Sequence, residues 1–453
     1  MKQSLIQKYN QPGPRYTSYP TVPYWDASSF TTSTYLSTLK STFLAKKEEG
    51  MSLYIHLPFC ESLCTFCACH KHITKRHEVE KEYIDSLLKE WDLYIHLFAE
   101  KPLIKEIHLG GGTPTFFSSK NLVNLIEGIL EKSTLSKEYD FSFEAHPNHT
   151  SKEQMQSLYS LGFRRISFGI QDYDQKVQKA IHRIQSFEQV KTVCQWAREI
   201  GYESMSHDLI FGLPFQTLQN IEDNIEKTAQ LLPERISLYS YAHVPWVKGV
   251  GQRGFEESDL PNAQEKRRLY ETAKKSLIAL GYEEIGMDHF ALKSDGLYLA
   301  TQHQKLHRNF MGYTTTKTQI MVGLGMSAIS DCWGGFAQNV KTVKDYQHIV
   351  NEGQFPFFRG HILSEEDKVI RKHILNIMCY SKTSWQDQSM VFDGLEEAIS
   401  LLDEMVKDKL IEIKNKTLTV FPMATPFIRN VCMAFDKHLN ENRPTKSVFS
   451  MTI

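Results

Sequence analysis

The residues best suited to chemistry in this sequence are four cysteines within ten positions, in HLPFCESLCTFCACH. They are Cys60, Cys64, Cys67 and Cys69, half of the eight cysteines in the chain. Three residues separate the first pair and two separate the next, so three thiolates share one short loop. Soft thiolates are the ligands that iron–sulfur clusters take, and three of them leave one iron of a cubane with an open coordination site. The loop therefore predicts a 4Fe–4S cluster.

Two other interpretations of the cysteines are possible. A tetrahedral zinc ion could use them together with His70 or His72, since zinc also favours closely spaced sulfur and imidazole. Structural cysteines in a core are the second alternative, although core packing does not place half of a chain's cysteines in one short loop. The spacing favours the cluster and leaves zinc open.

Further polar motifs follow other short apolar runs. Gly110–Pro114 comes after EIHL, Glu144 ends FSFE, Gln171 and Arg183 follow RRISFG, and Asp208 interrupts an apolar run. Glycines allow close approach of the backbone to a ligand and positive φ angles, although a tight turn needed only for packing would look the same. Glu144 could also be a surface residue, whereas Asp208 needs a partner or a ligand because of its apolar surroundings.

The elements that must position these motifs alternate between short apolar strands and helices from Met51 to about Ser240. The predicted strands are Leu53–His56, Glu106–Leu109, Asp140–Glu144, Arg165–Gly169, Met205–Ile210 and Arg235–Tyr239. Helices such as Lys81–Phe98 and Lys120–Glu131 lie between them. Six β/α units predict a parallel sheet, either doubly wound or partly closed into a barrel, with functional loops at the carboxyl ends of the strands.

The two ends of the chain have a different character. Gln11–Thr21 is rich in proline and predicts an extended arm, so residues 1–48 are expected to form an arm and a helix, followed by the barrel with its extension at 49–360. After about Tyr241 the strand signal thins.

Residues 361–453 are predicted to form a mainly helical domain, and a small helical or winged-helix module would explain its tail. Helices are expected at Asn262–Leu280 and Glu365–Tyr380. Within Asp393–Val420 we expect a helix and then a hairpin that turns at Lys414 and Asn415.

Composition excludes several classes of function. The chain has 453 residues, 41% of them hydrophobic, with 52 basic and 53 acidic side chains and a formal net charge of -1. This balance provides no general attraction to nucleic acid or to an anionic membrane. There is neither a signal-peptide core nor a run of about 18 apolar residues. We expect a cytoplasmic monomer without membrane insertion.

A loop of the form C-x-x-x-C-x-x-C after the first strand, with Phe66 before its third cysteine, resembles the radical S-adenosylmethionine (SAM) superfamily. The resemblance implies that Cys60, Cys64 and Cys67 ligate a 4Fe–4S cluster and that Cys69 does not. It also implies reductive cleavage of SAM to a 5'-deoxyadenosyl radical, and it assigns the glycine loop to the amino group of SAM.

Within this superfamily, the blocks KYNQPGPRYTSYPT, YIHLPFC, GGGTPT, GMDHFA, LHRNFMGYTT and RNVCMAFD resemble the family of oxygen-independent coproporphyrinogen III oxidases. The similarity covers almost the whole chain. It implies an incomplete (β/α)6 barrel of class α/β with an N-terminal arm and a mainly helical C-terminal domain. Local departures are the sequence ACHKH after Cys67 and His146 after Glu144.

By the same resemblance, the chain binds two SAM molecules through eleven positions. These are Tyr54, Phe66, Gly111, Gly112, Thr113, Glu144, Gln171, Arg183, Asp208, Ala242 and Ile329. Composition alone would treat Ala242 and Ile329 as packing residues.

The implied reaction converts two propionates of coproporphyrinogen III to vinyl groups, giving protoporphyrinogen IX, with an electron donor and an electron acceptor that the sequence does not identify. A substrate with four carboxylates needs cationic or amide donors, for which Arg15, Arg308 and Asn309 are the hypotheses. The alternatives are a related haem chaperone, which delivers haem without oxidising it, and a radical SAM methyltransferase of anaerobic haem degradation.

Overall fold

A twelve-stranded sheet forms the centre of the molecule in the computed structural model, which describes residues 3–25, 28, 30–246, 252, 254–444, 446 and 448–453. In chain order the strands are β1 Met51–Leu57, β2 Leu103–Gly111, β3 Thr134–Ala145, β4 Phe163–Gln171, β5 Ser204–Phe211, β6 Arg235–Ser240, β7 Tyr282–Ile285, β8 His289–Leu292, β9 Met321–Leu324, β10 Ile329–Asp331, β11 Gly335–Asn339 and β12 Phe357–Ile362. The spatial order is β12-β11-β10-β9-β1-β2-β3-β4-β5-β6-β8-β7.

Strands β1 to β6 pair in parallel with their neighbours, as the sequence predicts, and each contains its predicted core. A helix or helix pair follows every one of them, so six β/α units form the incomplete barrel. The α-helices of the described residues are α1 Gln3–Tyr9, α2 Thr32–Lys46, α3 Val79–Phe98, α4 Ser119–Glu131, α5 Lys152–Ser160, α6 Gln175–Ala180, α7 Phe187–Ile200, α8 Leu218–Leu231, α9 Ala263–Ala279, α10 Gly296–Gln302, α11 Val343–Asn351, α12 Glu365–Tyr380, α13 Leu395–Ser400, α14 Asp403–Lys407, α15 Ile428–Phe435 and α16 Lys437–Glu441.

The extension of the sheet is the main feature that the sequence pattern did not predict. Strand β9 pairs in parallel with β1, and antiparallel strands continue both edges of the sheet. These strands are short, and β11 has the sequence GFAQN with all five residues buried, so it lacks the alternation that identifies a strand. The side-chain amide of Gln338 in this strand is buried and donates a hydrogen bond to the Ser327 carbonyl at 3.0 Å.

Two smaller sheets lie outside the barrel. His307–Asn309 pairs with Gly312–Thr314, and Lys382–Ser384 joins the hairpin formed by Ile411–Lys414 and Thr417–Val420. The hairpin exists as predicted, but its turn is one residue further on. Asn415 and Lys416, at φ of 50° and 53°, form the turn, since two central residues of positive φ match the twist of the flanking strands.

The arm packs against the C-terminal region. Leu5, Ile6, Tyr9, Tyr16 and Tyr19 belong to the apolar core built around α12 and α15, while the barrel has its own core. From Gln11 to Thr21 the chain is irregular except for one bridge between Pro12 and Met451. The predicted domain boundaries remain predictions, and the boundary at residue 360 falls within β12.

No helix among the described residues is both long and apolar enough to cross a membrane.

A buried carboxylate on α3 joins the barrel to its extension. Glu90 accepts hydrogen bonds from the Gly325 backbone at 2.8 Å, the Asn339 amide at 2.7 Å and the Tyr346 hydroxyl at 2.6 Å. Burial raises the pKa of Glu90 from 4.5 to about 7, although these three donors lower it. Glu90 therefore keeps its proton to a higher pH in the folded chain than in the unfolded chain.

We predict that Glu90→Gln changes the pH dependence of stability. Glu90 stabilises the fold most below pH 4.5, and this contribution falls by about 3 kcal/mol as the pH rises through 7. The free energy of unfolding of the natural chain, relative to Glu90→Gln, should fall over that range in urea titrations. Glu82→Gln, on the exposed face of the same helix, is the control. Parallel curves for the natural chain and Glu90→Gln would contradict the prediction.

Candidate active site

The cysteine loop leaves β1 and is closed at its base by backbone hydrogen bonds. The His72 and Thr74 amides donate to the carbonyls of Pro58 and Cys60 at 2.8 and 2.9 Å. Farther along, the Thr65 hydroxyl donates to the Ala180 carbonyl at 2.8 Å, which fastens the loop to α6. Both ends of the loop are thus held to the barrel at the carboxyl side of its strands.

Cys60, Cys64 and Cys67 are partly exposed and line a single cavity. The Cys60 thiol lies 3.3 Å from the Thr113 hydroxyl, and burial raises the pKa of Cys60 to about 11. A hydrogen bond with Cys69 lowers the pKa of Cys67 against the effect of burial, and the nearby Lys71 lowers it further. Cys69 is exposed and contacts Cys67. Cys69 lines the same cavity, so the loop offers four thiols to it, and the choice of Cys60, Cys64 and Cys67 as the cluster ligands stays a prediction.

The spacing of the side chains argues against zinc. A zinc ion holds its ligand atoms about 4 Å or less apart, because its bonds are about 2.0–2.3 Å long. Within the part of the chain that the structure describes, the only three His, Cys, Asp or Glu side chains with ligand atoms within 4.8 Å of one another are His361, Asp367 and His438, in β12, α12 and α16. No three cysteine or histidine side chains of the cysteine loop meet this spacing.

The glycine loop at the end of β2 packs against the base of the cysteine loop. A Cβ atom on Gly111, at φ +112°, would lie 2.7 Å from the His56 ring, and one on Gly112 would lie 2.5 Å from the Pro58 backbone. The amides of Gly112 and Thr113 donate to the carbonyls of Leu57 and Phe59 at 2.8 and 3.0 Å. The glycines are therefore needed for close packing of the two loops, and this packing brings Gly111, Gly112 and Thr113 to the wall of the cavity.

Glu144, at the end of β3, faces the same cavity, with 44% of its side chain exposed. Its oxygens lie 3.4 Å from His108 Nε2 and 3.3 Å from the donating Gly111 amide. Burial would raise the pKa of Glu144, but the hydrogen bond and charge of His108 and the Gly111 amide outweigh it, so the pKa is below its usual value. Glu144 is thus an ionised acceptor at the cavity wall.

Asp208 on β5 also lines the cavity, as does Glu61 of the cysteine loop. Asp208 accepts a hydrogen bond from the Ser167 hydroxyl at 2.8 Å, and burial raises its pKa to about 6. Gln171 ends β4 at φ 71°, and the Arg183 guanidinium donates to the Gly169 carbonyl at 2.5 Å while lying 3.8 Å from the Cys64 sulfur. The carboxylates of Glu144 on β3 and Asp208 on β5 therefore line the same cavity as the Arg183 guanidinium, which lies beside the thiols.

Ala242 lies in the loop after β6, outside the cavity lining, and is joined to the cysteine loop by Gln252. The Gln252 amide nitrogen donates to the carbonyls of Ala242 and Phe66 at 2.9 and 3.1 Å, and its oxygen accepts from the Val244 amide at 2.6 Å. Gln252 is 2% exposed. This residue closes the site on the β6 side, and nothing in the sequence pattern indicates it.

Two predicted residues lie outside the cavity lining on the other side. The Tyr54 ring stacks on His108 at 6.0 Å, and a Cβ on Gly110 would lie about 3 Å from both Tyr54 and Glu144. Ile329 begins β10 and packs against the cluster of Trp25, Phe336 and Leu363. The structure therefore brings Tyr54 next to the site and places Ile329 in neighbouring apolar packing, so the SAM contacts of both remain predictions.

Sequence reasoning missed His56 and His108. His56 lies two residues after Tyr54 and therefore on the same face of β1. Tyr54 in turn pairs with His108 in the β1–β2 register. His56 lies 3.2 Å from the Tyr54 hydroxyl and 2.9 Å from the His70 carbonyl. The period of two in YIH was the signal that could have identified His56 as an inward side chain.

A second, polar cavity of about 100 Å³ occupies the barrel interior and shares Glu144 and Asp208 with the first. Two arginines of its wall form ion pairs. Arg165 lies 2.6 Å from Asp140, and Arg235 lies 2.8 Å from Asp295, which caps α10. These ion pairs neutralise the charges inside the barrel. The groups that remain available to a ligand therefore lie toward the carboxyl ends of the strands.

The three residues suggested for the substrate do not line the cysteine cavity. Arg15 donates to the Ser240 carbonyl at 2.8 Å, Arg308 is 4% exposed above the Tyr313 ring, and Asn309 accepts from the Met311 amide at 2.9 Å. Arg15 and Arg308 are neighbours, since Arg308 donates to the Arg15 carbonyl at 3.3 Å.

The partial β/α barrel with its three-thiol loop defines a protein of the radical SAM superfamily, whose family model matches residues 54–228. Proteins named oxygen-independent coproporphyrinogen III oxidase are similar over nearly the whole chain. That of Synechocystis sp. is 36% identical over 99% of this chain and 97% of its own length, and that of Helicobacter pylori is 37% identical over 99% and 98%.

A solved structure extends this similarity to the fold. Coproporphyrinogen III oxidase (HemN) from Escherichia coli, described as a radical SAM enzyme, superposes with a TM-score of 0.89 at 33% identity and covers 97% of this chain and 99% of its own. The chain therefore belongs to the family of oxygen-independent coproporphyrinogen III oxidases.

We predict that Cys64→Ala abolishes cluster binding. The variant removes one of three thiolates, whereas Cys194→Ala changes a buried cysteine of α7 that the loop does not contact. After anaerobic reconstitution, iron and sulfide per chain and the visible absorbance of the cluster should be lost in Cys64→Ala and retained in Cys194→Ala. A full iron content in Cys64→Ala would contradict the assignment.

We predict that Gln252→Ala weakens SAM binding without loss of the cluster. The variant leaves the Phe66 and Ala242 carbonyls and the Val244 amide without this partner, and each buried group left unpaired costs about 1–3 kcal/mol. Equilibrium dialysis of SAM against the reconstituted protein should show an affinity lower by at least about tenfold. Gln195→Ala, on the exposed face of α7, should bind SAM as the natural chain does. Equal affinities for all three would contradict the role of Gln252.

Proposed function

We propose that this protein catalyses the oxygen-independent oxidative decarboxylation of two propionates of coproporphyrinogen III to vinyl groups, giving protoporphyrinogen IX. The proposal includes one 4Fe–4S cluster on Cys60, Cys64 and Cys67 and two SAM molecules. One observation carries it: a single cavity at the carboxyl ends of the strands combines three thiols with a glycine loop, an anionic carboxylate and a guanidinium. Relatedness over the full length to proteins named for this reaction supports the substrate.

The cluster and SAM would supply the oxidising chemistry, a 5'-deoxyadenosyl radical able to remove a hydrogen atom from the unactivated β-carbon of a propionate. The remaining work belongs to side chains of this chain. The ionised Glu144, held by His108 and the Gly111 amide, would accept hydrogen bonds from hydroxyl or ammonium groups. Arg183, beside Cys64, would bind a carboxylate.

Asp208 would serve a complementary purpose. Its pKa of about 6 lets it hold or release a proton close to neutrality, so it can accept from a ribose hydroxyl as the anion. Phe66, which packs against the cluster of Val177, Ile210 and Tyr241, offers a ring to a nucleobase. Gln171, Ala242 and Ile329 complete the proposed set, together with Tyr54 and the glycine loop.

The reaction must also exclude water from a reactive carbon centre. The cysteine loop, fastened through Thr65 and Gln252, covers the carboxyl ends of β4 to β6 and provides this barrier. We further propose that the protein acts as a cytoplasmic monomer, with an electron donor for the cluster and an acceptor for the last electron that are still to be identified.

The test is an anaerobic incubation of the reconstituted protein with SAM, a reductant and coproporphyrinogen III, followed by mass spectrometry. We expect stepwise loss of two carboxyl groups together with formation of 5'-deoxyadenosine, and neither in Cys64→Ala. Formation of 5'-deoxyadenosine without porphyrin product would reject the substrate. Parallel incubation with haem tests the two alternatives, since unchanged bound haem would indicate the chaperone and methylated, opened haem the methyltransferase.

A further inference from the structure

Three arginines from distant parts of the sequence converge outside the cysteine cavity. Arg15 comes from the N-terminal arm, Arg308 from the hairpin after α10, and Arg429 from α15. Burial lowers the pKa of Arg429, and the positive charges of Arg15 and Arg308 lower it further, to about 9. The three guanidinium groups are therefore close enough to interact electrostatically. Three segments thus deliver positive charge to one place.

Backbone carbonyls hold these guanidinium groups in position. Arg429 donates to the carbonyls of Gly13, Pro14 and Met451 and so binds the arm to the C-terminal end. Arg15 uses one bond, to the Ser240 carbonyl, and Arg308 uses one, to the Arg15 carbonyl. Arg308 is 4% exposed, and its Nε and Nη1 atoms are buried without a hydrogen-bond partner.

The three charges lack matching anions. Among the described residues, none of the three guanidinium groups makes an ion pair within 4.0 Å, whereas Arg165, Arg235 and Arg371 all do. The carboxylate common to their surroundings is that of Asp288, which itself pairs with His289 at 2.7 Å. Buried charge without a partner is unfavourable, so this cluster would gain free energy by accepting an anion.

A cavity provides the place for that anion. It encloses about 60 Å³ and is lined by Arg15, Arg429 and Asp288 together with Phe211 and Ser240. Since a water molecule needs about 10–15 Å³ of such space, the cavity has room for a carboxylate group. Phe211 and Ser240 end β5 and β6, so the cavity lies on the same side of the barrel as Asp208 and Ala242.

We infer that the pocket lined by Arg15 and Arg429, with the buried Arg308 bound to the Arg15 carbonyl beside it, binds one propionate carboxylate of the porphyrinogen, and that this is a carboxylate that does not react. The inference rests on the proposed function for the identity of the ligand. Guanidinium groups bind carboxylates through charge-assisted, often bidentate hydrogen bonds. A reacting carboxylate must leave as neutral carbon dioxide, and a cluster of cations would oppose that change by stabilising the bound anion.

The pocket therefore fixes the orientation of the macrocycle. An anchored propionate presents another propionate to the SAM site, and the cation cluster contributes mainly to substrate binding and little to the radical step. Loss of an arginine should raise the KM or Kd more than it lowers kcat.

The test measures binding of stable, oxidised porphyrins to the full-length, anaerobically reconstituted protein by fluorescence. The probes are coproporphyrin III, protoporphyrin IX, which keeps only the two non-reacting propionates, and the dimethyl ester of protoporphyrin IX. The variants are Arg15→Gln and Arg15→Lys. Arg268→Gln, on the exposed face of α9, is the matched control. Arg308→Met, which keeps packing over Tyr313 but removes the charge, is a second, independent probe of the pocket.

For Arg15→Gln we expect a Kd for both acidic porphyrins about tenfold higher or more, as for loss of a charge-assisted bond. Arg15→Lys should recover part of the affinity, Arg308→Met should weaken binding in the same direction, and Arg268→Gln should change nothing. Binding of the diester should be equally weak in all variants. Iron and sulfide per chain and the visible absorbance of the reconstituted cluster should be the same in Arg15→Gln as in the natural chain, which shows that the barrel is intact.

Natural affinity of Arg15→Gln and Arg308→Met for both acids would overturn the pocket, even if the natural chain decarboxylates the porphyrinogen. An equal loss of affinity for the diester would also overturn it, because the effect would then not depend on the carboxylate. Arginine-dependent binding without decarboxylation by the natural chain would instead reject the proposed function and retain a carboxylate pocket for porphyrins.

Discussion

The parallel register between β1 and β2 is the constraint on which the rest of the site depends. It places the Gly112 and Thr113 amides against the carbonyls of Leu57 and Phe59, and so brings the glycine loop under the base of the cysteine loop. Close contact is possible only because side chains are absent at Gly111 and Gly112. With this contact made, Cys60 lies beside Thr113, and the three thiols face the carboxyl ends of the neighbouring strands.

The electrostatic character of the site follows from that placement. Glu144 and Asp208 both end up in the cavity, but their surroundings separate their pKa values, because Glu144 has His108 and a backbone amide as partners whereas Asp208 has mainly burial. Deeper in the barrel, Arg165–Asp140 and similar pairs satisfy one another. The two carboxylates Glu144 and Asp208, at the open end of the barrel, thus have different pKa values. Farther in, ion pairs balance the charges.

The two ends of the chain form the part of the molecule that is specific to this family. Arg429 donates to two carbonyls of the arm and to the Met451 carbonyl, and the aromatic residues of the arm share a core with α12 and α15. This arrangement requires both ends of the chain to be in place before Arg15 can reach Ser240 at the end of β6. The proposed carboxylate pocket therefore takes Arg15 and Arg429 from these joined ends and not from the barrel.

The six β/α units, the four helices for which bounds were predicted and the cysteine loop were predictable from sequence, because a periodic pattern and the chemistry of thiolates are local properties. Strands β7 to β12 were not, since short buried strands such as GFAQN obtain their hydrogen bonds from distant partners and show no period of their own. The hairpin turn at Asn415 and Lys416 was predicted one residue early, because either pair of residues suits a turn and the strand register decides between them. Residue types thus determined the chemistry that the chain can perform, whereas the convergence of Gln252, His108 and the three arginines depended on contacts between segments far apart in the sequence, which only the tertiary structure brings together.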